Sequence, residues 1–203
     1  MDRRQRKTQK AILDACLSLI EEKDFQKITI HEIAERADIN RGTFYLHFLD
    51  KYDMMDHFEN EMIEKLEKVI IENLPKKRSN ELFVETRYDT IVQILTCFEN
   101  NRDLLQFLLK ANYSSFQTKF RNKMKQITSE MVLPKIENLK YEISTDLFAI
   151  IFTSIMLSLA EYAYLSKTPI DIEQSAELLF NIVLHGPAKT LGLLDSDDSH
   201  RSK

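Results

Sequence analysis

Residues 29–51, TIHEIAERADINRGTFYLHFLDK, hold two short apolar patterns on either side of a break of a few residues. Thr29-Ile30-His31-Glu32 has the form of a capping box, in which the threonine hydroxyl accepts from the third helical amide and the glutamate reaches back. The helix it opens carries Ile30, Ile33, Ala34 and Ala37 on one face, and Asp38 to Asn40 interrupt it. Asn40 is a good N-cap for a further short helix, Arg41 to Phe48. A capped helix, a tight turn and a second short helix make a helix-turn-helix pattern. Gly42 stands just inside that second helix, in a chain with only three glycines.

The pattern is framed on both sides. Ala11, Ile12, Ala15, Cys16, Leu19 and Ile20 recur at helical spacing before it. After it, Asp50 caps a long helix with Asp53 at its third position, running through Met54, Met55, Phe58, Met62, Leu66 and Val69 to about Asn73. Further apolar helical patterns fall at 81–99, 101–111, 114–137, 145–166 and 171–186, with Pro134, Pro169 and Pro187 at or near their ends. The expected fold is all-α with about nine helices, and the composition agrees: 203 residues, 43% hydrophobic, four prolines and no tryptophan suit long helices with few connections. Residues 1–51 read as the helix-turn-helix domain, 52–194 as a helical regulatory and dimerisation domain, and 195–203, DSDDSHRSK, as a disordered tail. LPKKRSN, 74–80, is the clearest linker.

Several classes of function are disfavoured. The basic start lacks a following apolar stretch, so no secretory signal is expected. Leu147 to Ala160 is too short and too interrupted by Thr153, Ser154 and Ser158 to span a bilayer. These features imply a cytoplasmic chain without a membrane partner. Cys16 and Cys97 each sit in an apolar helical pattern, where a reduced cysteine behaves as a small hydrophobe. The five histidines form no i,i+4 pair, so no metal is expected. With neither a glycine-rich phosphate loop nor a nucleophile-base arrangement, the chain reads as a non-enzyme that needs no cofactor.

Charge and residue type point to nucleic acid. The net charge is −4, yet Arg3, Arg4, Arg6, Lys7 and Lys10 face only Asp2 within the first ten residues. An ordinary exposed helix face favours Lys and Glu. Asn40, Arg41, Thr43, Tyr45 and His47 instead offer amide, guanidinium, hydroxyl and phenol groups that suit phosphates and base edges. Gly42 removes bulk where a backbone could approach a phosphate closely. Ile39, Phe44 and Phe48 are the residues that would pack the second helix onto its support.

Residues 7–58, and NRGTFYLHFLDKYDMM most of all, resemble the DNA-binding domain of TetR/AcrR family transcriptional regulators. The resemblance implies roles at matching positions. Arg41, Thr43 and Tyr45 would contact bases or nearby phosphates, with Gly42 among them at the tip of the recognition helix. Thr29, His31, His47 and Lys51 match positions that hold phosphates, and the arm Arg3, Arg4, Arg6 and Lys7 would add phosphate or minor-groove contacts. Arg41 could read guanine or grip a phosphate.

One helix-turn-helix reads a half-site, so a double-stranded operator of roughly palindromic form calls for a homodimer. The segments 145–166 and 171–186 are the candidates for its interface, because DLFAIIFTSIMLSLAEYAYL is apolar on more than one face. The family pairs such helices into an intermolecular four-helix bundle. In that family, helices equivalent to those carrying Tyr88, Ile91, Leu95, Phe98, Phe107, Phe116, Phe120 and Met124 enclose a ligand pocket, although aromatic and Met stripes are more often core. AIIFTSIMLSLAEYAYLSKTPIDIEQSAELLFNIV is similar to the C-terminal helices of a Firmicutes-type branch, some of whose members answer to a partner protein. The expectation is therefore a repressor released by a small apolar ligand or a partner protein. The alternative is a helical protein-interaction adaptor or co-regulator that has lost ligand or DNA binding.

Overall fold

Local capping sets the helix starts. In a computed structural model, described over residues 3–74, 80–132, 134, 144–165 and 171–190, Thr29 and Glu32 form the complete reciprocal capping box, Asn40 caps through its side chain, and Asp50 accepts from the amides of Tyr52 and Asp53. Of residues 80–87, 145, 148, 165, 187 and 188 only the backbone is described. The described elements are α1 (Arg3–Glu22), a 3₁₀ turn (Phe25–Lys27), α2 (Ile30–Arg36), α3 (Arg41–Tyr45) and α4 (Lys51–Glu72). They continue with α5 (Asn80–Asn100), α6 (Arg102–Lys110), α7 (Phe116–Ile127), α8 (Thr145–Leu165) and α9 (Ile172–Thr190). The fold is all-α, an N-terminal helix-turn-helix followed by a helical domain, and the described residues form nine α-helices and no strand.

Three differences from the sequence reading have local causes. The basic arm Arg3–Lys7, set apart from the first helical pattern in the sequence, forms the first turns of α1, where Thr8 donates back to the Arg4 carbonyl at 3.1 Å. Residues 114–137 are not one helix: α7 starts at Phe116 and passes at Thr128 into a π turn to Val132. The helix expected to end at 186 is broken there, since Gly186 has φ 76°, ψ 160°, a conformation that glycine adopts without a Cβ penalty. The linker residues 75–79, Pro169 and the tail 195–203 lie outside the described residues.

One core runs through the molecule. Ile12, Cys16 and Leu19 of α1, Ile33 of α2 and Phe44 of α3 meet Met54 and Phe58 of α4, and this cluster continues into Ile94, Phe98, Phe107 and Phe120 of α5, α6 and α7. The aromatic and apolar residues of α5–α7 weighed above as pocket or core are buried side chains, except the half-buried Tyr88. Cys16 and Cys97 are reduced and buried, and burial pushes the Cys16 thiol up to about 12, which makes it inert at neutral pH. α5 packs on α9, α7 on α8, and α6 on α1. Lys10–Asp103 at 3.1 Å and Lys110–Glu21 at 2.8 Å tie α6 to α1 along their exposed seam.

The buried carboxylate of Glu59 joins α4 to the start of α7. It accepts from the Ser114 hydroxyl at 3.0 Å, the Ser115 amide at 2.5 Å and the Ser115 hydroxyl at 2.7 Å, and Lys119 lies 2.8 Å from it. Ser115 makes no side-chain cap of its own, so Glu59 supplies the acceptor that the α7 terminus lacks. Glu59→Ala is expected to cost about 3 kcal/mol, the low end for stripping a buried ion pair because Lys119 keeps Asp56, with denaturant unfolding as the measurement.

Candidate nucleic-acid interface

The turn between α2 and α3 is closed by backbone bonds. Ile39 donates to the Ala34 carbonyl at 3.0 Å and Asp38 to the Glu35 carbonyl at 3.2 Å, the paired bonds of a Schellman motif. The motif needs a left-handed residue after the helix, and Asp38 supplies it at φ 52°. Aspartate tolerates that region better than most side chains. Ile39 then packs against the core and Asn40 starts α3 with its Oδ1 2.7 Å from the Thr43 amide.

α3 is helical over Arg41–Tyr45, three residues shorter than the expected 41–48. Its last turn tightens, with His47 and Phe48 both donating to the Phe44 carbonyl. Phe44 and Phe48 are buried with ring centroids 5.6 Å apart, and Phe48 packs on Phe58 of α4 at 5.7 Å. These contacts orient the opposite side outward.

On that side Asn40, Arg41, Gly42 and Tyr45 are exposed, and among the described residues the Arg41 guanidinium has no partner. Tyr45 is 48% exposed and rests edge-on against Phe44. Thr43 and His47 are half-buried on the two flanks: the Thr43 hydroxyl lies 3.1 Å from Asn40 Oδ1, and the His47 ring leans on Phe48. Gly42 has helical rather than left-handed backbone, and a Cβ there would meet only Asn40 Oδ1, at 3.1 Å. Glycine at this position thus spares the cap and leaves the helix tip bare.

At the start of α2, His31 is exposed, while the Thr29 hydroxyl is engaged, 2.9 Å from Glu32 Oε2. Arg3, Arg4 and Arg6 are exposed on α1.

Lys51 requires a correction. Its ammonium donates to the carbonyls of Phe25 at 3.0 Å, Gln26 at 2.7 Å and Ile28 at 2.8 Å, which uses all three hydrogens. It stands over the Phe25 and Tyr52 rings at 5.2 Å from each. Burial lowers its pKa, with Glu32 opposing. Lys51 closes the loop between α1 and α2 and is not free for a phosphate. A lysine in first-turn position gives the same sequence signal for either role, and only the spatial return of residues 25–28 decides between them.

Sequence reasoning also missed Leu46, which is 85% exposed. It follows Phe44 by two residues and precedes Phe48 by two, so at about 100° per residue it points away from both. Helical spacing alone carried that signal.

The family model described as "Bacterial regulatory proteins, tetR family" matches residues 12–58, the segment from α1 to the second turn of α4. Over that segment the chain is similar to the N-terminal domain of tetR-family regulatory proteins. Two curated relatives come from Bacillus subtilis (strain 168). The uncharacterized HTH-type transcriptional regulator YxbF is 26% identical over 115 residues, 57% of this chain and 29% of that protein. The probable HTH-type transcriptional regulator YttP is 26% identical over 103 residues, 51% of this chain and 49% of that protein. The matches therefore span less than half the length of either relative. A putative TetR-family regulator of known structure from Syntrophomonas wolfei has the same fold, with a TM-score of 0.65 at 20% identity, over 95% of this chain and 99% of that one.

Two tests follow from the supports of α3. Lys51→Met is expected to destabilise the fold by about 2 kcal/mol, as the loss of hydrogen bonds to a charged donor implies. Thermal melting would record this without any DNA present. Glu32 gives a pH signature. The Lys23 ammonium, followed by the Thr29 amide and hydroxyl, lowers its carboxyl from 4.5 to about 2. A carboxyl depressed on folding contributes stability that is complete above the unfolded value and lost as pH falls through the folded one. Urea unfolding of Glu32→Gln should therefore show lower stability at neutral pH and a flatter decline between about pH 5 and about pH 2.5 than the parent protein.

Proposed function

We propose that this protein is a DNA-binding transcriptional regulator that acts in the cytoplasm as a homodimer on a roughly palindromic double-stranded operator. It represses by occupying that operator until a small apolar ligand or a partner protein releases it. The observation that carries the reading is the outward side of α3: a guanidinium without a partner among the described residues, a half-exposed phenol and a bare glycine beside a side-chain cap, held by two buried phenylalanines on the other side. Residues 1–51 would read DNA and the helices from 52 onward would regulate and dimerise. His31 and His47, with Arg3, Arg4 and Arg6, would hold phosphates.

The homodimer is supported by the surfaces of α8 and α9. Leu147, Ile151, Ser154, Ser158 and Tyr162 follow one another at three- and four-residue steps, and Leu147, Ile151 and Tyr162 are 55%, 52% and 62% exposed. Leu178, Val183 and Leu184 extend an apolar surface on α9. Such faces are costly in a monomer and match an intermolecular bundle with small serines at its centre. Two copies would set recognition helices about 34–36 Å apart, one turn of DNA.

A cleft of about 420 Å³ lies between α1, α4 and the α5–α6 turn. Most of its charges are already paired, Lys65 with Glu61 and Asn101, Arg102 with Glu99, and Lys10 with Asp14 and Asp103, while Arg6 lines it without a partner among the described residues. It reads as a seam rather than an apolar effector pocket.

Sedimentation and gel-shift measurements on the full chain test the proposal. Specific binding should weaken with salt by about 0.9 log units per log unit of salt for each neutralised phosphate. Arg41→Ala should cost about 1–3 kcal/mol and relax the preference at one base position per half-site. Ile151→Glu should give monomers and lower operator affinity at least about 100-fold, because the second half-site no longer binds in tandem. Salt-independent behaviour, or a dimer without any DNA affinity, would instead support the interaction adaptor.

A further inference from the structure

A leucine exposed to the extent of 85% in the middle of a reading surface is uneconomical in water, where its isobutyl group orders solvent and contacts nothing. Leu46 occupies that position at the C-cap of α3, with its amide donating to the Gly42 carbonyl at 3.1 Å. Its backbone is therefore as fixed as the helix itself. Phe44 and Phe48 are buried on the opposite side, so Leu46 lies at the outermost line of the turn. Tyr45 precedes it and is exposed, and Gly42, one turn earlier, presents no side chain that could hold a partner surface away.

On the DNA-binding reading, this line enters the major groove. The groove edges of the base pairs carry hydrogen-bonding groups and one apolar group, the 5-methyl of thymine. A guanidinium and a phenol suit the polar groups, whereas an aliphatic side chain with no donor or acceptor suits only the methyl. We infer that Leu46 is a specificity-determining residue whose side chain packs on the 5-methyl of a thymine in each operator half-site. The inference rests on the proposed function and goes beyond it, since it assigns a base preference to a residue with no polar group.

Leu49 is a useful contrast. It is 80% exposed but lies beyond the helical turn, where its amide donates to Asp53 Oδ2 at 2.8 Å. General surface apolarity would make the two leucines equivalent, whereas methyl readout by α3 does not.

The experiment selects binding sites from randomised duplex DNA with the full-length protein, and then replaces each thymine of the selected operator by deoxyuridine, which removes the methyl alone. One thymine position per half-site is expected to lose about fourfold in affinity on this replacement, the fold-change that burying one methylene-sized group corresponds to. Leu46→Ala should melt like the parent, bind thymine and uracil operators equally at that position, and tolerate other bases there. Leu49→Ala should keep the discrimination.

Selective binding with no methyl dependence at any position overturns the assignment and leaves the DNA-binding reading intact. So does methyl dependence that survives Leu46→Ala or vanishes in Leu49→Ala, or a Leu46→Ala variant whose oligomeric state changes while its base preference does not. The absence of any sequence-selective binding overturns both readings.

Discussion

A helix of five residues cannot hold itself together in water. Nucleation fixes several residues for a single hydrogen bond, and isolated helices below about 12–15 residues are marginal even in favourable sequences. α3 has only Arg41–Tyr45, so every feature of its position is imposed from outside. The Schellman bonds from Asp38 and Ile39 fix the path into it, the Asn40 side chain satisfies its third amide, and Phe44 and Phe48 insert into the core shared with Phe58. On the far side, Asp50 and Asp53 fix the path out: the first caps α4, and the second accepts from the Leu49 amide at 2.8 Å. The outward surface of α3 is what is left over once these constraints are met.

Those constraints depend in turn on how α1, α2 and α4 are held. Arg36 of α2 reaches Glu22 of α1 at 2.9 Å, and Lys23 pairs with Glu32 inside the capping box. Exposed pairs of this kind contribute little singly, but they act on a helix of seven residues whose orientation the turn then passes to α3. Lys51 contributes more, because it joins three carbonyls where the chain reverses between α1 and α2, that of Phe25 also accepting from the Ile28 amide at 3.1 Å. Without it the Gln26 and Ile28 carbonyls would turn to water, and the ring contacts of Phe25 with Tyr52 and Phe107 would lose their frame.

The sequence made the local grammar legible. The capping box at Thr29, the caps at Asn40 and Asp50 and the apolar spacings of α1 and α4 could be read directly, because each depends on residues within a few positions of one another. What escaped depends on distant partners or on omission. Lys51 looks like a surface cation until residues 25–28 are seen to return beneath it. Glu59 sits in an amphipathic pattern as an exposed residue would, and its burial follows from the serines at 114 and 115, some 55 positions later. Leu46 escaped for a different reason: attention to polar residue types hid an apolar one that periodicity placed at the centre of the exposed face. The helical course of Arg3–Lys7 was missed because charge suggested an arm where backbone propensity favours a helix.

α4 connects the two halves as a single rod. Its 22 residues span about 33 Å at 1.5 Å per residue. Its first turn holds the loop before α2 and the exit from α3, its second and third turns are locked to α7 through Glu59, and farther along Lys65 meets Asn101 at 2.7 Å and Glu67 meets Lys123 at 3.3 Å. α7 packs directly on α8, whose outer face carries the proposed dimer contact. A rod joined at both ends transmits tilt rather than absorbing it. A tilt of about 5° over that length moves one end by about 3 Å. That distance equals a hydrogen bond, about 2.9 Å, so on the proposed function a base contact that α3 would make in one setting would be lost in the other. The short helix α3 owes its position to the same attachments that would make it responsive on the proposed function: with no stability of its own, it goes wherever α4 and the Asp38 turn take it.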